Sequence, residues 1–419
     1  MSPQAGRTDR KFSDATWLTS GSLPKLLAVL DRDGEEARAV GGAIRNALLG
    51  VPVLEVDVAT TAVPDEVVTR VTAAGFKAVP TGIEHGTVTV VIDKQPFEVT
   101  TLRKDVETYG RHAKVEFGRD WKADAERRDF TINALSAARD GAVYDYAGGL
   151  DDLVHRRVRF IGDPAKRIEE DYLRILRFFR FHAAYGVGHP DAAGLAACIA
   201  ARDGLDQLSR ERVRMELLKL LVAPHATATL AVMAQAGLLL LVLGGVPYLA
   251  DFENVAKVEA STRTTPDAVR RLGGLSVVIA EDAERLWRRL RLTNNEHERL
   301  ASVAEGWRRI SPAFGENAAK ALLYRLGPQH FTDHALLGWA RSEATAHDAK
   351  WHELATLPQR WTAPEFPLKA ADFMKRGVAQ GPALGAALAA AERAWIAGGF
   401  TQERGALDDI ADAAAKSGP

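Results

Sequence analysis

Two carboxylates set two residues apart, Glu55 and Asp57, interrupt the apolar run Leu54-Glu55-Val56-Asp57-Val58-Ala59, and a glycine pair, Gly41-Gly42, precedes them. In an extended chain, residues i and i+2 project to one face. Val53 to Ala59 read as a strand therefore turns both acids one way and Leu54, Val56 and Val58 the other. Acids so placed share divalent cations. Magnesium binds through oxygen and keeps waters and substrate phosphates in its shell, so two carboxylates suffice for a pair of ions about 3.5 to 4 Å apart. The glycines supply the complementary feature: Gly41 and Gly42 let the backbone approach a triphosphate, and a helix from Ile44 to Leu49 presents unpaired N–H groups to anionic oxygens. The chemistry indicated is metal-assisted transfer of a nucleotide. Glycine pairs and acid-x-acid edges also occur where no such chemistry is done, so these residues alone leave the two readings even.

A second block, Arg127-Arg128-Asp129-Phe130-Thr131-Ile132-Asn133-Ala134-Leu135, places two guanidinium groups, an acid and an amide before an apolar run. A guanidinium fork binds phosphate oxygens bidentately, and Asn133 suits a helix cap or a ribose hydroxyl. A third block, Glu170 to Phe181, reads as one amphipathic helix. Asp171, Arg174 and Arg177 recur at three-residue steps and share a face, with Leu173, Leu176 and Phe179 opposite. The plainer account of that face is a ladder of surface ion pairs. Glu98, in Pro96-Phe97-Glu98-Val99-Thr100-Thr101-Leu102, is either a third acid beside Asp57 or an exposed strand residue.

These residues need elements to hold them. Strand-like runs at Val53 to Ala59, Thr87 to Ile92, Pro96 to Leu102 and Val158 to Ile161 alternate with helical stretches such as Asp65 to Ala74. Gly82 to Gly86 and Asp93 to Gln95 read as turns, and Arg103 to Glu126 has little periodicity, which marks a long irregular segment. Beyond Asp163-Pro164 strand signals nearly vanish. Leucine, alanine and arginine at helical spacing continue to the end, broken by Pro224, Pro247, Pro266, Pro312, Pro328 and the Pro358 to Pro367 cluster. The fold class is α+β, an α+β head followed by a long helical body. With 419 residues, 47% of them hydrophobic, more than one core is expected.

Fifty-four basic residues against 55 acidic ones leave a net charge of -1, so any RNA-binding surface must come from segregated charge. Three stripes qualify: Lys166, Arg167, Arg174, Arg177 and Arg180; Arg210, Arg212, Arg214 and Lys219; and Arg285, Arg288, Arg289 and Arg291. Each alone is more commonly a solvated helix face. Cys198, the single cysteine, excludes an intramolecular disulfide and a cysteine-rich metal site and suits packing in a helix. No apolar run approaches the roughly 18 residues of a membrane helix. With no continuous signal-peptide core, a cytoplasmic protein is expected. Nothing in the chain sets an oligomeric state.

In this order, the blocks are specific where each alone is not. Gly41-Gly42-Ala43-Ile44-Arg45, Glu55-Val56-Asp57, Arg127 to Ala134, Asp145-Tyr146-Ala147-Gly148-Gly149-Leu150-Asp151-Asp152-Leu153 and Glu170-Asp171-Tyr172-Leu173-Arg174-Ile175-Leu176-Arg177 run through about the first half of the chain. Together they resemble the class II tRNA nucleotidyltransferases, the CCA-adding enzymes and their bacterial poly(A) polymerase relatives. A looser likeness covers Gly381-Pro382-Ala383-Leu384-Gly385, Trp395 and Phe400. The resemblance implies a polymerase-beta-like nucleotidyltransferase head over residues 1–162. It further implies a helical neck with a base-recognition helix over 163–225, a body over 226–330 and a tail over 331–419, together curved like a seahorse. It also implies that CTP and ATP are joined to the tRNA 3′ end with two magnesium ions. Glu55, Asp57 and Glu98 would be the acids, Glu55 and Asp57 the metal ligands. Gly41, Gly42, Arg45, Arg128, Asp129, Asn133, Asp171, Arg174 and Arg177 would bind the nucleotide, with Arg45 and Arg128 on the triphosphate. Asp171 and Arg174 match the family's amino-acid template for the base. Cytosine and adenine each show an amino donor beside a ring-nitrogen acceptor, which a carboxylate and a guanidinium satisfy. Guanine and uracil would leave Asp171 facing an acceptor, at about 1 to 3 kcal/mol. The irregular segment after Arg103 matches a flexible loop that in relatives helps switch from C to A addition.

Two positions depart from the family pattern. Glu55 stands where aspartate is usual, one methylene longer, and a misplacement of about 1 Å costs on the order of 100-fold in rate. Asn46 replaces an aspartate after Arg45. An RNA-binding protein that lost catalysis is therefore the reading from a different class. Within the enzymes, the runner-up is poly(A) polymerase, whose basic strand motif is missing from Thr81 to Val90, and then a CC-adding or A-adding specialist. His334 and His347-Asp348 lack the spacing of a metal-dependent phosphohydrolase and read as helix-surface residues.

Overall fold

The strand-forming part of the chain builds one mixed sheet. In this computed structural model, which describes residues 6–416 apart from Ser13, Glu84, His85, Gly110 and Arg111, the strands are β1 (Arg7–Lys11), β2 (Ala37–Val40), β3 (Asp57–Thr60), β4 (Lys77–Gly82), β5 (Thr87–Ile92), β6 (Gln95–Thr101), β7 (Arg103–Tyr109), β8 (His112–Phe117), β9 (Ser136–Ala138) and β10 (Ala142–Tyr144). Eight of them join in the order β1-β10-β9-β2-β3-β6-β5-β4, while β7 and β8 pair as a separate hairpin. β3 and β6 run parallel, Val58 opposite Val99. The other pairs among the described residues are antiparallel. β5 alternates half-buried and buried side chains along Thr-Val-Thr-Val-Val-Ile, the pattern of a strand with one face on a core. It turns into β6 through Asp93 and Lys94, both with positive φ and Ile92 opposite Gln95, as a two-residue type I′ hairpin requires.

Three expectations need correction here. The run Val53 to Ala59 yields only β3, because β2 ends at Val40, opposite Asp57, and its chain turns away at Gly41. Residues 51–56 therefore have no ladder to join, and Leu54 is 85% exposed. Val158 to Ile161 makes only a single bridge, Phe160 to Phe130. Arg103 to Glu126 is not irregular: it holds β7, β8 and a short helix. Gly110 and Arg111 within it, like Glu84 and His85 in the earlier turn, lie outside the described residues.

Around the sheet and after it come α1 (Thr16–Thr19), α2 (Leu23–Leu30), α3 (Gly42–Leu48), α4 (Pro64–Ala73), α5 (Trp121–Glu126), α6 (Gly149–Val154), α7 (Pro164–Glu170), α8 (Leu173–Tyr185), α9 (Ala192–Ala200) and α10 (Arg210–Leu221). α4 starts on Pro64 with Asp65 and Glu66 in its first turn and Arg70 in its last, the signs of charge that suit a helix dipole. The expected single helix over Glu170 to Phe181 is two. Asp171 is extended (φ -156°, ψ 106°), and its Oδ1 accepts the Leu173 N–H at 3.1 Å, so a local carboxylate turn outcompetes the continuing helix. Phe130 of the second block packs on Phe160 and Phe181 with ring centres 4.9 and 5.3 Å away, and Phe160 stacks on Phe178. This buried cluster ties the second block to α8; each ring is worth roughly 1.5 to 3 kcal/mol in burial. Cys198 is fully buried on α9.

The chain divides into units of residues 1–242 and 243–419. The second unit is helical. Its core carries a charge network in which Asp333 accepts from Arg270 Nε and Arg299 Nε, both at 2.9 Å. Glu259 takes Arg270 Nη1 at 2.7 Å and Arg271 Nε at 2.8 Å. His334 is buried against Ser302, not on a helix surface, and burial lowers its pKa to about 4. Asp348 caps the helix Ala349–Ala355 through the N–H groups of Lys350 and Trp351. No helix among the described residues is long and apolar enough to cross a membrane.

Candidate active site

The passage from β2 into α3 passes through Gly41 at φ 68°, ψ -120°, a conformation side chains disfavour. A Cβ there would also sit 3.3 Å from Arg128 Nη1. No side chain caps α3, so its first N–H groups are left for an anion. Next to this turn, the parallel register that sets Val58 against Val99 sets Asp57 beside Glu98. Both acids are exposed while Val58 and Val99 are buried. Glu55 stands before the strand rather than in it, yet still acts on Asp57. Partial loss of water around its carboxyl, together with the Glu98 and Glu55 charges, raises the Asp57 pKa, opposed by Arg128. Among the described residues none of the three carboxylates has an ion pair or a side-chain hydrogen bond.

That arrangement fits magnesium. The donors are all carboxylate oxygens, and their mutual repulsion is the condition a divalent cation relieves. Among the described residues no three acids, histidines or cysteines close into a cage, and magnesium characteristically leaves coordination positions for water and phosphate.

Behind the acids lies a chain of polar contacts. Asp129 is buried and accepts from Arg177 Nε at 2.7 Å, Asn133 Nδ2 at 3.1 Å and the Phe130 N–H at 2.8 Å. Against the desolvation of burial, Arg177 and these donors hold its carboxyl below the usual range. Asn133 passes the contact on, its Oδ1 accepting from Arg45. Arg45 is itself buried; it donates to Tyr185 Oη at 2.8 Å and to Asn46 Oδ1 at 3.0 Å. Arg128 is the half-exposed fork here, reaching Asp124 at 3.3 Å and the Asn133 carbonyl at 3.4 Å.

At the α7–α8 break, Asp171 lies before α8 and Arg174 on it; the Arg174 N–H donates to the Asp171 carbonyl at 3.0 Å, but the two side chains do not pair with each other. Asp171 Oδ2 takes Arg212 Nη2 at 2.6 Å. Arg174 is held by Glu170 and, at 2.8 Å, by the Arg167 carbonyl. Arg177 turns to Asp129 and Glu216, so the three share no single ladder. The sequence reading missed Glu216, which also holds Arg180, and Tyr185. It set Arg212 in a basic stripe. Their only sequence signal was the i, i+4 spacing of Arg212 and Glu216.

A family model described as the poly A polymerase head domain matches residues 37–159, and one described as a probable RNA and SrmB-binding site of polymerase A matches residues 191–252. The chain is 33% identical over 400 residues to the mitochondrial CCA tRNA nucleotidyltransferase 1 of Mus musculus, covering 93% of this chain and 89% of the relative. It is 31% identical over 373 residues to the CCA-adding enzyme of Limosilactobacillus fermentum, covering 87% and 89%. It is also similar to the crystal structure of the Bacillus stearothermophilus CCA-adding enzyme in complex with CTP. There the TM-score is 0.70 and the identity 28%, covering 90% of this chain and 92% of that one.

Proposed function

This chain belongs to the family of CCA-adding tRNA nucleotidyltransferases, and on that premise we propose that it adds C, C and A from CTP and ATP to the 3′ end of tRNA, in the cytoplasm. The observation that carries the reading is the acid edge of Asp57, Glu98 and Glu55 facing the Arg128 fork across the Gly41 turn. We assign residues 1–162 to the head, 163–225 to the neck, 226–330 to the body and 331–419 to the tail.

The RNA 3′-hydroxyl attacks the α-phosphorus of the nucleotide in line, and pyrophosphate leaves. Asp57 and Glu55 would hold magnesium, with Glu98 beside them; when bound, the ions supply a lowered pKa for the attacking hydroxyl and neutralise charge on the leaving group. Arg128 binds the triphosphate bidentately, and the first turn of α3 adds N–H groups behind Gly41 and Gly42. Arg45, its donors spent on Asn133, Asn46 and Tyr185, acts by fixing Asn133 and through it Asp129 and Arg177. Asp171 accepts a hydrogen bond from the amino group of cytosine or adenine while Arg174 donates to the neighbouring ring nitrogen; the attacking group being the RNA hydroxyl, no side-chain nucleophile is needed.

The test is to incubate the protein and magnesium with tRNA lacking its 3′ end and each labelled nucleotide, alone and in pairs, and to read product length. Addition of two C residues and then one A is expected. A long adenylate product would indicate a poly(A) polymerase, and tRNA binding without incorporation a catalytically dead relative.

A further inference from the structure

The two positions at which the chain departs from the family pattern, Asn46 and Glu55, meet on one connection. Glu55 belongs to residues 51–56, which join no strand, so neither sheet nor helix aims its carboxylate. The connection is tied back to the last turn of α3 instead. The Val51 N–H donates to the Asn46 carbonyl at 2.9 Å, and the Asn46 side chain reaches one residue further, its Nδ2 donating to the Pro52 carbonyl at 3.4 Å. At its other end the same amide accepts: Oδ1 takes Arg45 Nε at 3.2 Å, Arg45 Nη2 at 3.0 Å and Tyr185 Oη at 3.4 Å. A guanidinium only donates and a proline carbonyl only accepts, so the amide has one orientation that serves both, and only a carboxamide can serve both. An aspartate would keep the Arg45 contacts and set an anionic oxygen against the Pro52 carbonyl.

We propose that Asn46 is the positioning residue for Glu55: by holding Pro52 it fixes the reach of a connection that has no ladder, and so keeps the Glu55 carboxylate at the Asp57 edge. The proposal rests on the reading of Glu55 as a metal ligand. The proline ring already locks φ at residue 52, and a held carbonyl sets its ψ, so one long hydrogen bond directs the chain that leaves toward Glu55. Released, that chain is anchored only at Val51 and at β3. A displacement of about 1 Å at the carboxylate is enough to cost on the order of 100-fold in rate.

The experiment uses the full chain and two readouts: Mn2+ binding to the nucleotide-free protein, followed by electron paramagnetic resonance, and kcat with magnesium, CTP and tRNA lacking its terminal nucleotides. The proteins are the parent, Asn46→Asp, Glu55→Ala and the double variant. Asn46→Asp is nearly isosteric and keeps every contact the amide oxygen accepts, while its added negative charge would by itself tighten cation binding. It is expected to weaken Mn2+ binding severalfold and to lower kcat about tenfold, with KM for tRNA unchanged. In the Glu55→Ala background the same substitution should change neither quantity, because the ligand it serves is gone. Asn46→Ala, which adds no charge, should also weaken Mn2+ binding, and it carries the comparison in both backgrounds should Asn46→Asp fail to fold. If Glu55→Ala is impaired while Asn46→Asp binds Mn2+ and turns over as the parent does, the positioning role is overturned and Glu55 remains a ligand. An equal loss in both backgrounds means that Asn46 acts through Arg45 and overturns the proposal too. If Glu55→Ala itself matches the parent in both readouts, Glu55 leaves the metal site and the proposal falls with that reading.

Discussion

Where β3 meets β6, the charges of Glu98 and Glu55 bear on Asp57, with Arg128 as the opposing cation. At the α7–α8 break, by contrast, Asp171, Arg174 and Arg177 each have a partner in the chain itself. The first arrangement is electrostatically incomplete and is made whole by cations and a polyphosphate. The second is complete, so its side chains are already oriented when a base arrives. Chemistry at a site of the first kind should respond to charge, and at one of the second kind to geometry.

Removing charge from the incomplete region should have the largest effect. Asp57→Ala should lower incorporation by about three orders of magnitude, several kcal/mol of transition-state stabilisation, while the variant stays folded. Near-parental incorporation by the folded variant would remove the site from β3. The paired network of the helical unit should behave as the opposite extreme. Asp333→Ala leaves Arg270 and Arg299 buried without their shared acceptor and should cost about 3 to 5 kcal/mol in denaturant unfolding while the ratio of CTP to UTP use stays constant. At the break itself, Arg174→Ala should reduce discrimination against UTP and GTP by about 1 to 3 kcal/mol. Loss of a merely structural pair would instead cost about 0.2 to 1 kcal/mol of stability and leave selectivity alone.

Smaller effects sharpen the contrast within the acid edge. Glu55→Asp should keep or raise the rate, by up to roughly a hundredfold if the extra methylene misplaces the oxygen. A Glu55→Ala protein as active as its parent would show that this acid is no ligand. The last effect is on stability. The fold raises the Asp57 pKa, so the stability it contributes is present below the ordinary carboxylate range and is lost as pH rises through the folded value. Without divalent ions, Asp57→Asn should therefore melt above the parent at neutral pH, and the difference should vanish in acid. Magnesium should raise the parent's melting temperature more than the variant's. A variant that melts lower at neutral pH contradicts the repulsion.

The legible parts of this molecule were the ones built from short-range pattern. Alternation marked β5, whereas the sequence left Glu98 open between a place beside Asp57 and an exposed strand position, and it takes the parallel register of β3 and β6 to set the two acids side by side. Glu55 was misplaced because period-two alternation assumes a ladder, and the ladder stops where β2 turns into α3. The break at Asp171 was hidden by good helical spacing on both sides, since one carboxylate accepting from Leu173 outweighs that spacing locally. The hairpin of β7 and β8 stands apart from the main sheet, so Arg103-Lys104-Asp105-Val106-Glu107 has no apolar alternation to show. Arg212 meets Asp171 across 41 positions of sequence, and no periodicity reports a contact of that separation.

Cys198 gives the first unit a built-in clock. Its thiol is fully enclosed on α9, and burial pushes its pKa far up, so almost no thiolate is available to an alkylating reagent while the helix stays docked. Reaction then waits on opening. When reclosing is faster than alkylation, the labelling rate measures the population of the opened state. A single residue thus reports on α9 without altering a charge at either half of the site.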